Sequence, residues 1–298
     1  MNLKISGEQM ILKAPAKINL YLEIINKRPD GYHNIESVMH TVSLFDTLEF
    51  SLNQNSLIEL TCSDKSLPAD STNLVYKTAK KMQDKFGLNR GIKIHLEKNI
   101  PMGAGLGGGS SDAAAVIKAL NKMWDINASK QELENFAKTI GADVPFFLTG
   151  GTAQIEGIGE IVKKIPSKTN LTAVLVKPDF GVSTVLAYSK VKFPLTNQRK
   201  IHKITGVLRD CSFTSETAKD LLFNRFEEFV FPEFSEIEKI KNTLESFGCA
   251  SLMSGSGATV FALTSSQKQS EEIIKQLSIY KWNTWAVSSC ELHDNAGV

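Results

Sequence analysis

The 298 residues are 42% hydrophobic and 22% charged, the balance of a globular chain long enough for one large domain or two. A net charge of +2, with Lys and Arg interspersed among Asp and Glu, argues against a nucleic-acid partner and leaves room for a local anion site. Cys62, Cys211, Cys249 and Cys290 are scattered without a Cys-x-x-Cys pair, the opening MNLKISGEQM has no apolar signal core, and no run reaches bilayer length. Reduced thiols in a soluble, cytoplasmic protein with no membrane partner are expected.

ILKAPAKINLYLEIINK, residues 11–27, alternates Ile18, Leu20, Leu22 and Ile24 with Lys17, Asn19, Tyr21 and Glu23. That is the period of a half-buried strand, and it puts Lys17 and Asn19 together on the face opposite the core. DGYHN at 30–34 reads as a turn, followed by β segments VMHTVSLFDTLEFSL and SLIELTC. TNLVYKTAKKMQDKFG reads as a helix with Val75, Ala79, Met82 and Phe86 on one side and Gly87 as its stop. GIKIHLE alternates again as a strand.

IPMGAGLGGGSSDAAAVIKAL follows, with glycine at five of the seven positions from Gly103 to Gly109. Ala113, Val116, Ile117, Leu120 and Trp124 keep a helical period directly after it. A capping box from Ser129 to Glu132 opens the next helix, which Gly141 closes. After ADVPFFLTGGTAQIEGIGE the pattern changes near residues 160–170, the expected boundary between domains 1–165 and 166–298. The second half reads strand, loop, helices over 217–229 and 233–247, strand, SGSG turn, strand, helix over 267–277, strand. Strands and helices mix without strict alternation, so an α+β class is expected.

Four segments carry candidate chemistry. Glycines let backbone N–H groups approach an anion, and the helix start adds donors and partial positive charge, so 103–111 suits phosphate; a tight strand-to-helix turn is the plainer reading. The loop lacks the Gly-Lys-Ser/Thr ending of the common nucleotide P-loop, and a dinucleotide motif would open the first strand–helix unit. Lys17 with Asn19 fits either a site or a solvated strand face. Asp143, beside Pro145 and two phenylalanines, is either a cap or a carboxylate needing a cation. Ser254, Gly255, Ser256 and Gly257 form either a simple hairpin loop or a second anion-contacting loop.

Together these segments resemble the GHMP kinase superfamily. PAKINL matches its first motif, IPMGAGLGGGSSDAAA its phosphate loop and LMSGSGATVFAL its third motif, in order and spacing over nearly the whole chain. The GLGGGSSDA loop is two residues longer than the GLGSSA form of mevalonate-type members. With RPDGYHNIES and ADVPFFLTGG it is similar to the branch that phosphorylates a cytidine-diphosphate sugar alcohol in non-mevalonate isoprenoid synthesis. The resemblance implies a two-domain α+β fold, a nucleotide-binding N-terminal domain and a ferredoxin-like C-terminal domain, with the active site in the cleft between them. It implies transfer of the ATP γ-phosphate to the 2-hydroxyl of the methylerythritol moiety. Mg²⁺ is expected to be held mainly by ATP itself, with at most one hydroxyl ligand from the protein and no equivalent of the Glu that some superfamily members use.

By the same resemblance, Asp143 accepts the hydroxyl proton, while Lys17 holds Asp143 ionised and stabilises charge at the acceptor oxygen or γ-phosphate. Asn19 contacts the acceptor, Tyr32 stacks on the cytosine, His33 hydrogen-bonds it, and Tyr188 covers its other face. Pro101, Met102, Gly103, Ala104, Gly105, Leu106, Gly107, Gly108, Gly109, Ser110 and Ser111 hold ATP, with Asn73 and Lys98 as adenosine neighbours. Ser254 to Gly257 close the cleft near the acceptor's phosphates. The same fold with a mevalonate- or homoserine-like acceptor is disfavoured by DGYH and the longer loop. A non-catalytic nucleotide-binding relative is disfavoured by the presence of both Lys17 and Asp143. A monomer or homodimer is expected.

Overall fold

The structure, a computed structural model, describes residues 5–6, 9–167, 169–195, 201–210 and 213–291, with side chains from residue 9 onward. Cys211 lies outside the described residues. A two-residue edge strand β1 (Ile5–Ser6) precedes a long antiparallel hairpin of β2 (Gln9–Lys27) and β3 (His33–Asn53). Arg28 N–H donates to the Tyr32 carbonyl at 2.7 Å to close its turn. Register shifts at Pro15/Ala16, Asn19/Tyr21 and Ile24/Asn26 bend the hairpin along its length.

Edge strand β4 (Ile58–Cys62) runs parallel to β5 (Gly91–Glu97), which pairs antiparallel with β3. Between them α1 (Leu74–Phe86) starts at Asn73, whose side chain accepts from Val75 N–H, and stops at Gly87 in the left-handed conformation. Helix α2 (Gly108–Met123) follows the glycine loop, and α3 (Lys130–Lys138) carries the expected Ser129/Glu132 capping box. Then come the one-and-a-half-turn α4 (Val144–Thr149), β6 (Thr152–Glu156) against β3, and β7 (Ile161–Lys164). The apolar faces of α1 and α2 pack on Leu48, Phe50, Ile92 and Ile94 of the sheet to make the first core. The small side chains Ala113 and Ala119 belong to the same layer, which lets α2 lie close to its neighbours.

The second half contains β8 (Thr172–Lys177), α5 (Thr184–Ser189), α6 (Ile201–Arg209), α7 (Ser215–Ala218), β9 (Phe223–Asn224), α8 (Glu227–Val230) and α9 (Ser235–Ser246). It ends with β10 (Ala250–Met253), β11 (Val260–Thr264), α10 (Gln267–Leu277) and β12 (Asn283–Ser288). The sheet order is β10-β11-β8-β12 and every pairing is antiparallel. With α9 before β10 and α10 before β12, this is the ferredoxin-like arrangement expected of the α+β second half.

Strand periodicity divides this sheet between two cores. Val174, Val176, Val260 and Ala262 face α9 and α10, while Ala173, Leu175, Phe261 and Leu263 face β2 and α6. The halves are therefore welded through a shared core that includes Ile18 and Leu20 of β2. Burying Phe261 and Leu175 completely contributes roughly 1.5–3 kcal/mol each.

Two expectations change. β2 is buried on both faces from Ala14 to Leu22, because the second half packs on Ile18 and Leu20 while the glycine loop and the SGSG turn close over Lys17 on the other side. The stretch expected as one helix over 217–229 is broken into α7, β9 and α8, since Phe223 and Asn224 pair parallel with Tyr21 and Leu22.

Candidate active site

The site is assembled along the free edge of β2. Lys17 N–H donates to the Leu106 carbonyl at 3.0 Å, and Asn19 N–H to Ser254 Oγ at 3.3 Å. Two residues on, Tyr21 and Leu22 pair with β9. Because alternate N–H groups of a strand point to one side, a single edge lines up the glycine loop, the SGSG turn and β9.

The glycine loop uses its carbonyls on the protein and keeps its N–H groups free. Gly103 O accepts from Val182 N at 3.1 Å and Ala258 N at 3.3 Å, and Ala104 O from Thr259 N at 3.3 Å. Gly105 O accepts from Lys17 Nζ at 2.7 Å and Ser254 Oγ at 2.9 Å. Among the described residues, no N–H from Gly103 to Ser110 finds a protein acceptor, and α2 begins at Gly107 without a side-chain cap. Unsatisfied donors at a helix start form an anion site. Two positions admit only glycine: a Cβ on Gly105 (φ +70°) would lie 1.9 Å from the Ser254 carbonyl oxygen, and one on Gly107 (φ +72°) 2.8 Å from Phe147 Cζ.

This loop forms one wall of a cavity of about 750 Å³. Lys17, Asn19, Asp143, Gly255 and Ser256 line it, as do Pro101 to Ser110, Lys98, Tyr32, His33 and Tyr188. Lys17 is only 3% exposed; its ammonium donates to Gly105 O and to Asn19 Oδ1. Burial pushes its pKa below the ordinary lysine value, and the negative charge of Asp143 opposes that shift. The two residues face one cavity and feel each other's charge without a direct ion pair.

Asp143 occupies the N-cap position of α4, yet its side chain makes no capping bond. Pro145 within the first turn removes one N–H that a cap would serve, so the half-buried carboxylate is left to the cavity. Its charge also reaches Tyr188, whose phenol is pushed up by burial first and by Asp143 second.

Asn19 is fully buried: its Nδ2 donates to Ser37 Oγ at 2.8 Å while its Oδ1 receives Lys17. It thus orients Lys17 as well as lining the cavity. His33 is 9% exposed, and burial, aided by Lys27, holds its pKa below the ordinary histidine value. Tyr32 stands at the cavity edge, 61% exposed.

Several expected residues sit differently. Tyr188, expected on the face of the cytosine opposite Tyr32, stacks instead on His33, centroids 4.9 Å apart and planes at 16°, so one face of its ring is taken by a protein ring. Asn73 caps α1 and does not line the cavity; its neighbour Leu74 does. Lys98 lines the cavity but pairs with Asp46 and, at 3.1 Å, with Asp112. Ser111 turns inward at 2% exposure, leaving Ser110 on the cavity. In the SGSG turn, Gly255 and Ser256 line the cavity, whereas Ser254 clamps the loop and Gly257 lies behind.

Sequence reasoning missed Phe193, stacked on His33 at 5.9 Å, and Thr184, whose hydroxyl meets Ser256 Oγ at 3.1 Å. It also missed Asn224, whose amide holds the Met253 and Gly255 carbonyls at 2.6 and 2.8 Å. Asp46 had a visible signal, a carboxylate inside a strand, where Asp is disfavoured.

The family model for the GHMP kinases N-terminal domain matches residues 73–151, and that for the GHMP kinases C-terminal region matches 214–281. A 4-diphosphocytidyl-2-C-methyl-D-erythritol kinase of Caldicellulosiruptor saccharolyticus is 37% identical over 95% of this chain and 97% of its own. One from Clostridium beijerinckii is 42% identical over 85% and 90%. A crystal structure of 4-(cytidine 5'-diphospho)-2C-methyl-D-erythritol kinase superposes with a TM-score of 0.81 at 32% identity, covering 94% of this chain and 98% of that one. The chain is an ATP-dependent small-molecule kinase of the GHMP fold, and it belongs to the 4-diphosphocytidyl-2-C-methyl-D-erythritol kinase family.

Proposed function

We propose that the chain transfers the γ-phosphate of ATP to the 2-hydroxyl of 4-diphosphocytidyl-2-C-methyl-D-erythritol, releasing ADP, as one step of isoprenoid precursor synthesis. The observation that carries this reading is the order of groups around one cavity. Free N–H donors of the glycine loop lead to Lys17, the charge of Lys17 to Asp143, and that of Asp143 to Tyr188, whose ring stacks on His33. Donor phosphates at the loop and a base-bearing acceptor at the aromatic end would meet at the Lys17–Asp143 pair.

Phosphoryl transfer demands positioning and charge stabilisation more than covalent chemistry. Lys17 is an ammonium buried among neutral oxygens, a costly state that a phosphate anion relieves. In this mechanism Lys17 meets the γ-phosphate and the acceptor oxygen, and Asp143 accepts the hydroxyl proton. Tyr32 and His33 recognise the cytosine, Tyr32 from the open edge and His33 through its ring nitrogens. Tyr188 then serves by backing His33. We assign residues 1–165 to the ATP-binding domain and 166–298 to the acceptor-side domain.

Among the described residues no cluster of three His, Cys, Asp or Glu side chains could hold a metal. In this reading Mg²⁺ is carried on the phosphates of ATP, where it offsets their charge, with Ser110 as the loop hydroxyl facing the cavity.

The test is ADP release from ATP with and without 4-diphosphocytidyl-methylerythritol, run beside mevalonate and homoserine. Turnover only with the cytidine compound is expected. Folded protein that binds ATP but turns over only mevalonate or homoserine, or no acceptor at all, refutes the assignment.

A further inference from the structure

Beneath the glycine loop, three side chains from three segments form a closed bridge to which the proposed reaction gives no part. Asp46 comes from β3, Lys98 follows the end of β5, and Asp112 sits in the opening turns of α2. Their side chains are 0%, 4% and 3% exposed. The Lys98 ammonium donates to Asp46 Oδ2, and to Asp112 Oδ2 at 3.1 Å. The other Asp46 oxygen accepts the backbone N–H groups of Asn99 at 2.6 Å and Ile100 at 2.8 Å.

Those contacts fall on both ends of the phosphate loop. Asn99 and Ile100 lead the chain into Pro101, while Asp112 lies just past Ser110 and Ser111 where the loop has become helix. One carboxylate thus grips the loop's entry and, through one ammonium, its exit. The two ends of a span made largely of glycine meet in one bridge. The bridge also touches the cradle: a Cβ on Gly108 would lie 2.9 Å from both Lys98 Nζ and Ile100 Cγ2.

The bridge is not the arrangement that best serves stability alone. Two carboxylates share one lysine in a dry site, and Asp112 Oδ1 has no partner. Burial, with the nearby Asp46 charge, raises the Asp112 pKa, and the Lys98 ammonium opposes that rise. Buried polar atoms without partners are costly, so the Asp112 carboxyl contributes less to stability than a fully satisfied group would.

We propose that Asp46 and Asp112, acting through Lys98, are positioning residues that set the geometry of the ATP phosphate cradle, and hence the affinity for ATP. They touch neither substrate. The inference rests on reading the loop as the ATP site. It goes beyond that reading in assigning the loop's geometry to a carboxylate–ammonium–carboxylate bridge.

Asp112→Asn and Asp46→Asn test it by steady-state kinetics and by calorimetric titration with a non-hydrolysable ATP analogue. Asp112→Asn leaves one carboxylate per ammonium and is expected to fold, so it decides the matter if Asp46→Asn does not. Small displacements of a positioned group have large effects, so Asp46→Asn should raise KM for ATP about tenfold or more and Asp112→Asn about threefold. Analogue binding should weaken by the same factors, with KM for the acceptor changed less than about twofold. Wild type that binds the analogue while both folded variants bind it equally well sinks the bridge alone. A parallel rise of both KM values also overturns it, since that is what a merely structural rivet would produce. Wild type that binds no ATP analogue defeats the donor reading of the loop itself.

Discussion

The Lys17 ammonium donates to the carbonyl oxygen of Gly105 at 2.7 Å, so the lysine of the first motif is tied to the donor loop. It is not a free cation beside the acceptor. Replacing it removes positive charge from the reaction centre and a strut from the cradle. Lys17→Met is expected to lower kcat by about 10²–10³-fold, the loss typical of one charge-stabilising donor, and to raise KM for ATP as well. A variant whose only change is a higher acceptor KM would contradict this placement.

Asp143 faces the cavity without a capping bond, and that freedom suits a proton acceptor. Asp143→Asn keeps the size and polarity of the side chain and removes its basicity. Turnover should fall by about 10²–10⁴-fold while ATP still binds with nearly unchanged affinity. Near-normal turnover would remove Asp143 from the chemistry.

What was legible from sequence was local. The glycine loop, the Ser129 capping box, Gly87 as a helix stop and the Lys17–Asn19 spacing all depend on neighbours in the chain. What was not legible depends on distant packing. Alternation along β2 predicts one wet face, but the glycine loop and the SGSG turn close over it, and Lys17 ends at 3% exposure. The break of 217–229 exists because Phe223 and Asn224 find an open edge about two hundred residues away in sequence. Tyr188 was expected to cover a base, yet its ring rests on His33, a contact no spacing rule encodes.

Gly105 and Gly109 separate backbone need from ligand need. A Cβ on Gly105 would meet the Ser254 carbonyl oxygen at 1.9 Å in a left-handed conformation, whereas one on Gly109 meets only Leu74, at 4.0 Å. Gly105→Ala should cost roughly 2–4 kcal/mol, summing left-handed strain and forced displacement. Gly109→Ala lies in the first turn of α2 and should unfold no more readily than wild type, yet bind ATP more weakly by crowding the cradle. Urea titration and analogue binding on both variants check this. Equal stability losses would show that the loop's shape does not depend on the Gly105–Ser254 contact.

Tyr32 and Tyr188 should behave differently although both are aromatic residues on one cavity. Tyr32 is 61% exposed and has a ring face to offer, while Tyr188 is held between His33 and the edge-on Phe226 ring at 4.8 Å. Tyr32→Ala should raise the acceptor KM about five- to fiftyfold, the range of lost base stacking, and leave KM for ATP unchanged. Tyr188→Phe retains the stack on His33 and should keep acceptor KM near wild type. A large KM increase in Tyr188→Phe would show that its hydroxyl, near Asp143, has a direct task.

His40 makes the fold sensitive to mild acid. The ring lies in the seam between the halves, with Nδ1 2.8 Å from Thr152 Oγ1 and Nε2 2.7 Å from Ser289 Oγ, and burial lowers its pKa from 6.5 to about 4. The folded chain therefore keeps His40 neutral across an interval in which the unfolded chain takes up a proton. The contribution is fully present above pH 6.5 and is lost progressively as pH falls towards 4. At about 1.4 kcal/mol per pKa unit, the loss reaches roughly 3 kcal/mol at the low end. His40→Gln should be less stable than wild type at pH 8, because the seam loses its fitted ring, but the gap should narrow by about that amount on acidification to pH 4.5. Urea midpoints at half-unit steps measure it. The difference between the two proteins cancels the carboxylates that titrate below this range. If both curves fall in parallel between pH 7 and 4.5, His40 is not the group that takes up the proton.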